Sequence, residues 1–383
     1  MKVLKWVLLL VVVLAAAAII FNIADARRYA TVMVFGADAA AYQEPRIVVA
    51  MPPGPPQPKV SAAEAGIDMA GIQAAVDYAG ARNTRALVIG HGGHIVFEKY
   101  WDESTLDTLV DLSGFTPVLS ALVLGSAMND VRSINLDAPL AGYIAEWADD
   151  PRGAISLRQL LTRSSGFAKP AGWPWPGTSA ARYSLGADLR PLLLRWPLDA
   201  ALKQGESPAA LNADILALAL SNRLELPFDK LLAERIWLPI GAGEFSMARG
   251  ARAGCCISAR LGDWMRIGEV LANNGVFEGN QLTPPRYVSL MLKPTYPDST
   301  MGFFTRVGGT FAARDVAWLE SAGKQRLWIV PSLRLTILRV GDEPPESQGW
   351  DEAMIPDSII RNVSGWQPGA VSEGVDPKKY APH

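Results

Sequence analysis

The sequence predicts an α/β domain in which one sheet is assembled from both ends of the chain and a helical middle packs beside it. Three observations carry this reading. Arg85-Ala-Leu-Val-Ile-Gly90 and His94-Ile-Val-Phe-Glu98 are strand-like runs joined by His91-Gly-Gly, a hairpin signal. Far downstream, Arg326-Leu-Trp-Ile-Val-Pro331 and Leu333-Arg-Leu-Thr-Ile-Leu-Arg-Val340 read as consecutive strands. Between them, dense apolar runs from Val118 to Met128, Leu211 to Leu220 and Leu261 to Leu271 read as helices. A further helix is expected over Ala62 to Tyr78, with Asp68 near a start. No internal repeat is present.

The bulk numbers fit a folded domain. Of 383 residues, 49% are apolar and 19% charged, which excludes a disordered chain. The net charge of −2 implies no basic face and excludes nucleic acid as an expected partner. The two cysteines, Cys255 and Cys256, are adjacent. Neighbouring cysteines rarely bridge, so they are read as two small core residues rather than a redox pair. His91 and His94 have a spacing that could hold a metal, but the Gly pair makes them turn and strand residues. No cofactor is expected.

Lys2 and Lys5 precede an apolar run from Trp6 to Phe21, followed by Ala24-Asp25-Ala26 and Arg27-Arg28. The small-x-small triplet fits a cleaved signal peptide. The length of the run sits at the lower edge of a spanning helix. Both readings of residues 1–26 stay open, with an uncleaved anchor preferred. Either one puts the large domain at the cell envelope, with membrane contact through the N-terminal segment. Residues 27–58, with Met51-Pro-Pro-Gly-Pro-Pro-Gln-Pro58, read as a stiff proline-rich stalk. Residues 59–365 form the folded domain, and 366–383 a loose tail.

Several segments together resemble the serine β-lactamase and penicillin-binding-protein superfamily, in particular its class C-type esterases and 6-aminohexanoate-dimer hydrolases. Asn135-Leu-Asp-Ala-Pro-Leu140 with Tyr143 and Trp147 is one, and Ile155-Ser-Leu-Arg-Gln-Leu-Leu-Thr-Arg-Ser-Ser-Gly-Phe167 another. Glu234-Arg-Ile-Trp-Leu-Pro-Ile-Gly-Ala242, Ser258-Ala-Arg-Leu-Gly-Asp-Trp264, Asn274-Gly-Val-Phe-Glu-Gly279 and Ala322-Gly-Lys-Gln-Arg-Leu-Trp-Ile-Val-Pro331 follow in the family's order. The resemblance spans about residues 62–345. It implies an α/β fold of β-lactamase type: a mainly antiparallel sheet flanked by helices, plus a helical subdomain. It also implies amide or ester hydrolysis through an acyl-serine, on a small-molecule or peptide-like ligand.

The family's serine starts a helix, with a Lys one turn later, a Tyr-x-Asn element, and a Lys-Thr-Gly element across the cleft. By resemblance Ser113 is the nucleophile, but the Lys position falls on Thr116, which offers only weak polar support. Thr116 reads as an N-cap with Pro117 at the first helical position, which places Ser113 in the preceding loop. Asn212 fits as substrate orienter, while the Tyr position holds Ala210. Ser321-Ala322-Gly323 stands for the third element, and Lys324 follows it. Asp107 and Asp111 lie near Ser113 in sequence, but no histidine completes a triad. By resemblance Trp173-Pro-Trp175-Pro-Gly177 lies in a loop over the cleft, either as a rigid apolar wall for a ligand or, the preferred reading, packed on the protein's own surface. The chain is therefore either a hydrolase by acyl-serine or an inactive family member that binds or scaffolds.

Overall fold

A computed structural model describes residues 5–7, 9, 12–13, 23–35, 46–129, 134–173, 177–186, 188–248 and 252–367. Most of the signal-or-anchor segment, part of the Trp173–Gly177 loop and nearly all of the tail lie outside the described residues. Among those described, no helix is long and apolar enough to cross a membrane.

The chain divides into two units. One comprises Met1–Arg46, Lys169–Trp196 and Ala248–Gly250. In it helix α1 (Ile23–Phe35) packs on the helix Ser179–Leu185, and Arg28 Nη1 donates to the Leu185 carbonyl at 3.3 Å. The first residues expected as stalk are thus helical.

The second unit, Ile47–Ala168, Pro197–Met247 and Ala251–His383, holds the main sheet. Its helices used below are α2 (Met69–Gly80), α3 (Thr116–Ala127), α4 (Ala209–Leu224), α5 (Leu261–Ala272) and α6 (Met354–Ile360). The strands run β1 (Arg46–Val49), β2 (Thr84–His91), β3 (His94–Tyr100), β4 (Leu109–Asp111), β5 (Phe245–Ala248) and β6 (Ser258–Arg260). After the small hairpin β7 (Val276–Phe277) and β8 (Asn280–Gln281) come β9 (Arg306–Val307), β10 (Ala317–Ser321), β11 (Gln325–Val330) and β12 (Leu335–Gly341).

Six strands form one antiparallel sheet in the order β3-β2-β12-β11-β10-β9, so the two chain ends meet at β2 and β12 as the sequence predicts. The β2–β3 turn uses Gly92 and Gly93, both at positive φ (59° and 87°), as a tight hairpin requires. Alternation of side chains gives the sheet two apolar faces. Leu87, Ile89, Trp328, Val330, Leu335 and Ile337 pack on Ile72 and Ala75 of α2 and Ile355 and Ile359 of α6. On the other face α5 lies so close that a side chain at Gly90 would meet Met265. Each such Ile or Leu contributes about 1.5–3 kcal/mol by leaving water.

Two boundaries differ from the sequence reading. Helix α2 starts at Met69 rather than near Ala62, because Ser61 and Glu64 close a separate turn that Gly66 ends at φ 69°. Asp68 then caps α2 by accepting from Ala70 N–H at 2.9 Å. The proline-rich segment, expected as a free spacer, is strapped onto the domain. Gly54 N–H donates to the Gly241 carbonyl at 3.0 Å, the Ile95 N–H to the Pro58 carbonyl at 2.9 Å, and Arg266 to the Pro55 carbonyl.

Candidate active site

Ser113 is carried by a junction of strand and helix. Strand β4 pairs antiparallel with β6, opposing Asp111 to Ser258 in a small sheet ordered β1-β5-β6-β4. The chain then makes a 3₁₀ turn, Ser113–Phe115, that runs directly into α3. Ser113 therefore opens the helical turn instead of lying in a loop. The N-cap is Phe115, and Thr116 is already helical. Every residue of α3 is buried and most are apolar, which fixes this end of the helix in the core.

Gly114 is required by the strand beside it. A Cβ there would sit 2.1 Å from the Glu320 carbonyl oxygen of β10. The close approach lets the Gly114 N–H donate to Ser321 Oγ at 3.2 Å. The Ser113 hydroxyl donates to Asp111 Oδ1 at 2.6 Å. That contact was missed in sequence. Asp111 reads in the sequence only as a nearby acid, and its contact depends on β4 ending with a single residue, Leu112, between it and the 3₁₀ turn.

Of the five residues singled out in sequence, Ser113, Ser321 and Gly323 come together around one open cavity of about 450 Å³. Thr116 and Asn212 do not join them. Thr116 is fully buried and its Oγ1 has no hydrogen-bond partner among the described residues, so it gives Ser113 no polar support. Being the first residue of a buried helix turns its side chain into the core. Asn212 is equally buried on α4, where its Oδ1 accepts from Ser165 Oγ at 2.7 Å and its Nδ2 is unpartnered among the described residues. It braces the Ser164-Ser165-Gly166 turn rather than facing a substrate. Ala210, at the Tyr position, does line the cleft, and no phenol replaces it there.

The turn after β10 is held from below. Arg339 of β12 is fully buried and donates to the carbonyls of Gly323 at 2.5 Å, Lys324 at 3.0 Å and Asp342 at 3.2 Å, and to Thr84 Oγ1 at 3.0 Å. Burial pushes its guanidinium down to about 10, where it remains charged at neutral pH. Gly323 takes φ 68° and Lys324 φ 54° in this turn. The Lys324 ammonium lies 3.8 Å from the Glu343 carboxylate.

A second cavity, about 230 Å³, also opens on Ser113 and Gly114. Its walls include Pro117, Ala210, Phe304 and Trp318, with the charged groups of Arg163, Arg306 and Glu320. Gly254 lines it too. The residues after Gly254 correct the cysteine reading: Cys255 and Cys256 are joined as a vicinal disulfide, with Cys256 at φ 71°. His91 and His94 are a strand end and a strand start, as expected, and His94 Nδ1 lies 3.1 Å from the Gly92 carbonyl. Among the described residues no cluster of three or more His, Cys, Asp or Glu could hold a metal ion.

Comparison with known proteins agrees with this architecture. The β-lactamase family model matches residues 71–253. The fold is similar to that of a proposed 6-aminohexanoate-dimer hydrolase from Bacillus anthracis, with a TM-score of 0.64, 16% identity, 81% of this chain and 90% of that chain covered. It is similar to a family VIII carboxylesterase (TM-score 0.58, 15% identity, 77% and 98% covered). It is also similar to a penicillin-binding protein from Bacillus halodurans (TM-score 0.53, 11% identity, 72% and 96% covered). No curated protein matches the sequence.

Proposed function

In a chain that belongs to the serine β-lactamase and penicillin-binding-protein superfamily, a serine-hydrolase fold, we propose that Ser113 and Asp111 act as a dyad that hydrolyses small esters through an acyl-serine. One observation carries the proposal: the Ser113 hydroxyl donates to a carboxylate at 2.6 Å, at the mouth of two cavities. As Oγ attacks the ester carbonyl carbon, its proton passes to Asp111 Oδ1. Collapse of the tetrahedral adduct breaks the bond to the leaving oxygen, which takes that proton back. Water then attacks the acyl-serine, giving its proton to Asp111; collapse breaks the bond to Ser113 Oγ, which takes that proton back as the carboxylic acid is released.

The base sets the substrate class. A carboxylate, with a reference value of about 3.9, is a far weaker base than the amine of about 10.4 used by the family's lysine. Attack is then driven chiefly by the electrophilicity of the carbonyl, which favours esters over amides. The same weakness supports a second reading, binding without turnover, because Thr116 and Ala210 stand where the family's Lys and Tyr would be. We place the domain at the cell envelope on the strength of the Lys2-to-Arg28 segment, and the mass of the mature protein tests this.

The two readings part in one experiment. The protein is incubated with a fluorophosphonate and with 4-nitrophenyl esters, and the adduct is located by mass analysis. A stoichiometric adduct on Ser113, lost in Ser113→Ala together with ester turnover, is expected. No adduct and no turnover would leave the binding reading in place.

A further inference from the structure

The cavity of about 230 Å³ beside Ser113 has room for a short acyl chain. Its charges do not balance. Arg306 Nε donates to Glu320 Oε1 at 2.7 Å, which accounts for the one carboxylate in the cavity. Arg163 has no carboxylate partner among the described residues. Its Nε donates to the Ser207 carbonyl at 2.8 Å, and Ser207 N–H returns a bond to the Arg163 carbonyl at 3.0 Å. This pair of bonds pins Arg163, itself at φ 56°, in a fixed orientation.

Both guanidiniums then turn an Nη1 toward the same weak acceptor. Met301 Sδ lies 3.1 Å from Arg306 and 3.9 Å from Arg163. A thioether is a poor acceptor, and a guanidinium carries five donors. Burial, and next the positive charge of Arg306, push the Arg163 guanidinium below its ordinary value, outweighing the opposite pull of the Glu320 carboxylate that Arg306 already holds. Two like charges held together in a half-buried cavity cost free energy unless an anion joins them.

We propose that this cavity is a carboxylate subsite, and that the preferred substrates are esters carrying a carboxylate a few atoms from the scissile carbonyl, such as half-esters of short dicarboxylic acids. The carboxylate sits between Arg163 and Arg306, in the planar two-donor geometry that arginine offers. Pro117, Phe304 and Trp318 line the path back to Ser113. The substrate class rests on the dyad reading above; the anion subsite stands on the two arginines.

Glutarate is the probe, and its neutral isostere glutaramide the control, with affinities measured by calorimetry on the full chain. The protein should bind glutarate at least about tenfold more tightly, the scale of a charge-assisted hydrogen bond. Arg163→Met should erase that preference, and Arg163→Lys should keep part of it. In turnover, 4-nitrophenyl hydrogen glutarate should exceed 4-nitrophenyl pentanoate in kcat/KM, with the ratio collapsing in Arg163→Met. Equal affinity for glutarate and glutaramide in the unaltered protein overturns the subsite, whether or not the variants fold. A preference retained in a folded Arg163→Met overturns it as well. Glutarate binding should persist in Ser113→Ala. Binding without any ester turnover defeats the dyad alone; turnover without charge preference defeats the subsite alone.

Discussion

Ser113 stands between two walls that have diverged in opposite senses. On the helical wall, α3 and α4, no base faces Ser113: Thr116, at the Lys position, and Asn212, the expected substrate orienter, are fully buried, and Ala210, at the Tyr position, supplies only a methyl group to the cleft. On the strand wall, β4 and β10, polar groups stay within reach: Asp111 takes the Ser113 hydroxyl, and Ser321 Oγ takes the Gly114 N–H. Under the proposed dyad, the strand wall supplies the proton acceptor that the helical wall does not: Asp111, two residues back along the chain from Ser113, takes that role at the cost of base strength.

Asp111→Asn is the sharpest way to break this contrast. Asparagine preserves size and can still accept from Ser113, but it cannot take the proton. Ester turnover should fall by about 10²–10⁴, the usual weight of a general base. A rate unchanged in Asp111→Asn would move proton acceptance away from the strand wall altogether. Gly114→Ala attacks the same wall sterically. The new methyl must displace the Glu320 carbonyl or the helix, so stability should drop by about 1–3 kcal/mol in a denaturant titration, with fluorophosphonate labelling lost in the folded fraction. Normal labelling at normal stability would mean that the contact between the Ser113–Phe115 turn and β10 is not needed.

Much of the fold was legible because it follows from local rules. The Gly92-Gly93 turn, the Asp68 cap and the near-continuous apolar strand runs of β11 and β12 each announce themselves within a few residues. Ser113, Ser321 and Gly323 were legible only through family resemblance, and they do meet. What could not be read depends on long-range placement. Arg163 and Arg306 are 143 positions apart (306 − 163) and share a cavity only because the turn after Leu161 faces the start of β9. The sheet carrying Asp111 is built of strands of three and four residues, too short to give a period. The cysteine bridge accompanies a positive φ at Cys256 that no side-chain pattern signals.

The helical wall makes a prediction of the opposite sign. If Thr116 is core and nothing more, Thr116→Val removes a buried hydroxyl that has no partner and puts a methyl in its place. The protein should gain about 1 kcal/mol, since an unsatisfied hydroxyl is costly to bury. Labelling at Ser113 should be unchanged. A slowed label would return Thr116 to the site and weaken the contrast between the walls.

The smallest effect concerns a second carboxylate, whose surroundings invert those of Asp111. Asp263, in the first turn of α5, is buried; its Oδ1 accepts from Gly243 N–H at 3.2 Å, and its Oδ2 has no partner among the described residues. Burial raises its carboxyl above the ordinary value, outweighing the Gly243 bond and the nearby Arg260 and Arg266 charges. A raised acid binds its proton more tightly in the folded state, so its contribution is full below the unfolded value of about 3.9 and declines as pH rises through the folded one. Asp263→Asn keeps the acceptor for Gly243 and removes the titration. The urea midpoint of the unaltered protein should therefore lose ground to the variant between acid and neutral pH. Parallel pH curves for the two proteins would show that this carboxylate finds enough donors to stay charged at no cost.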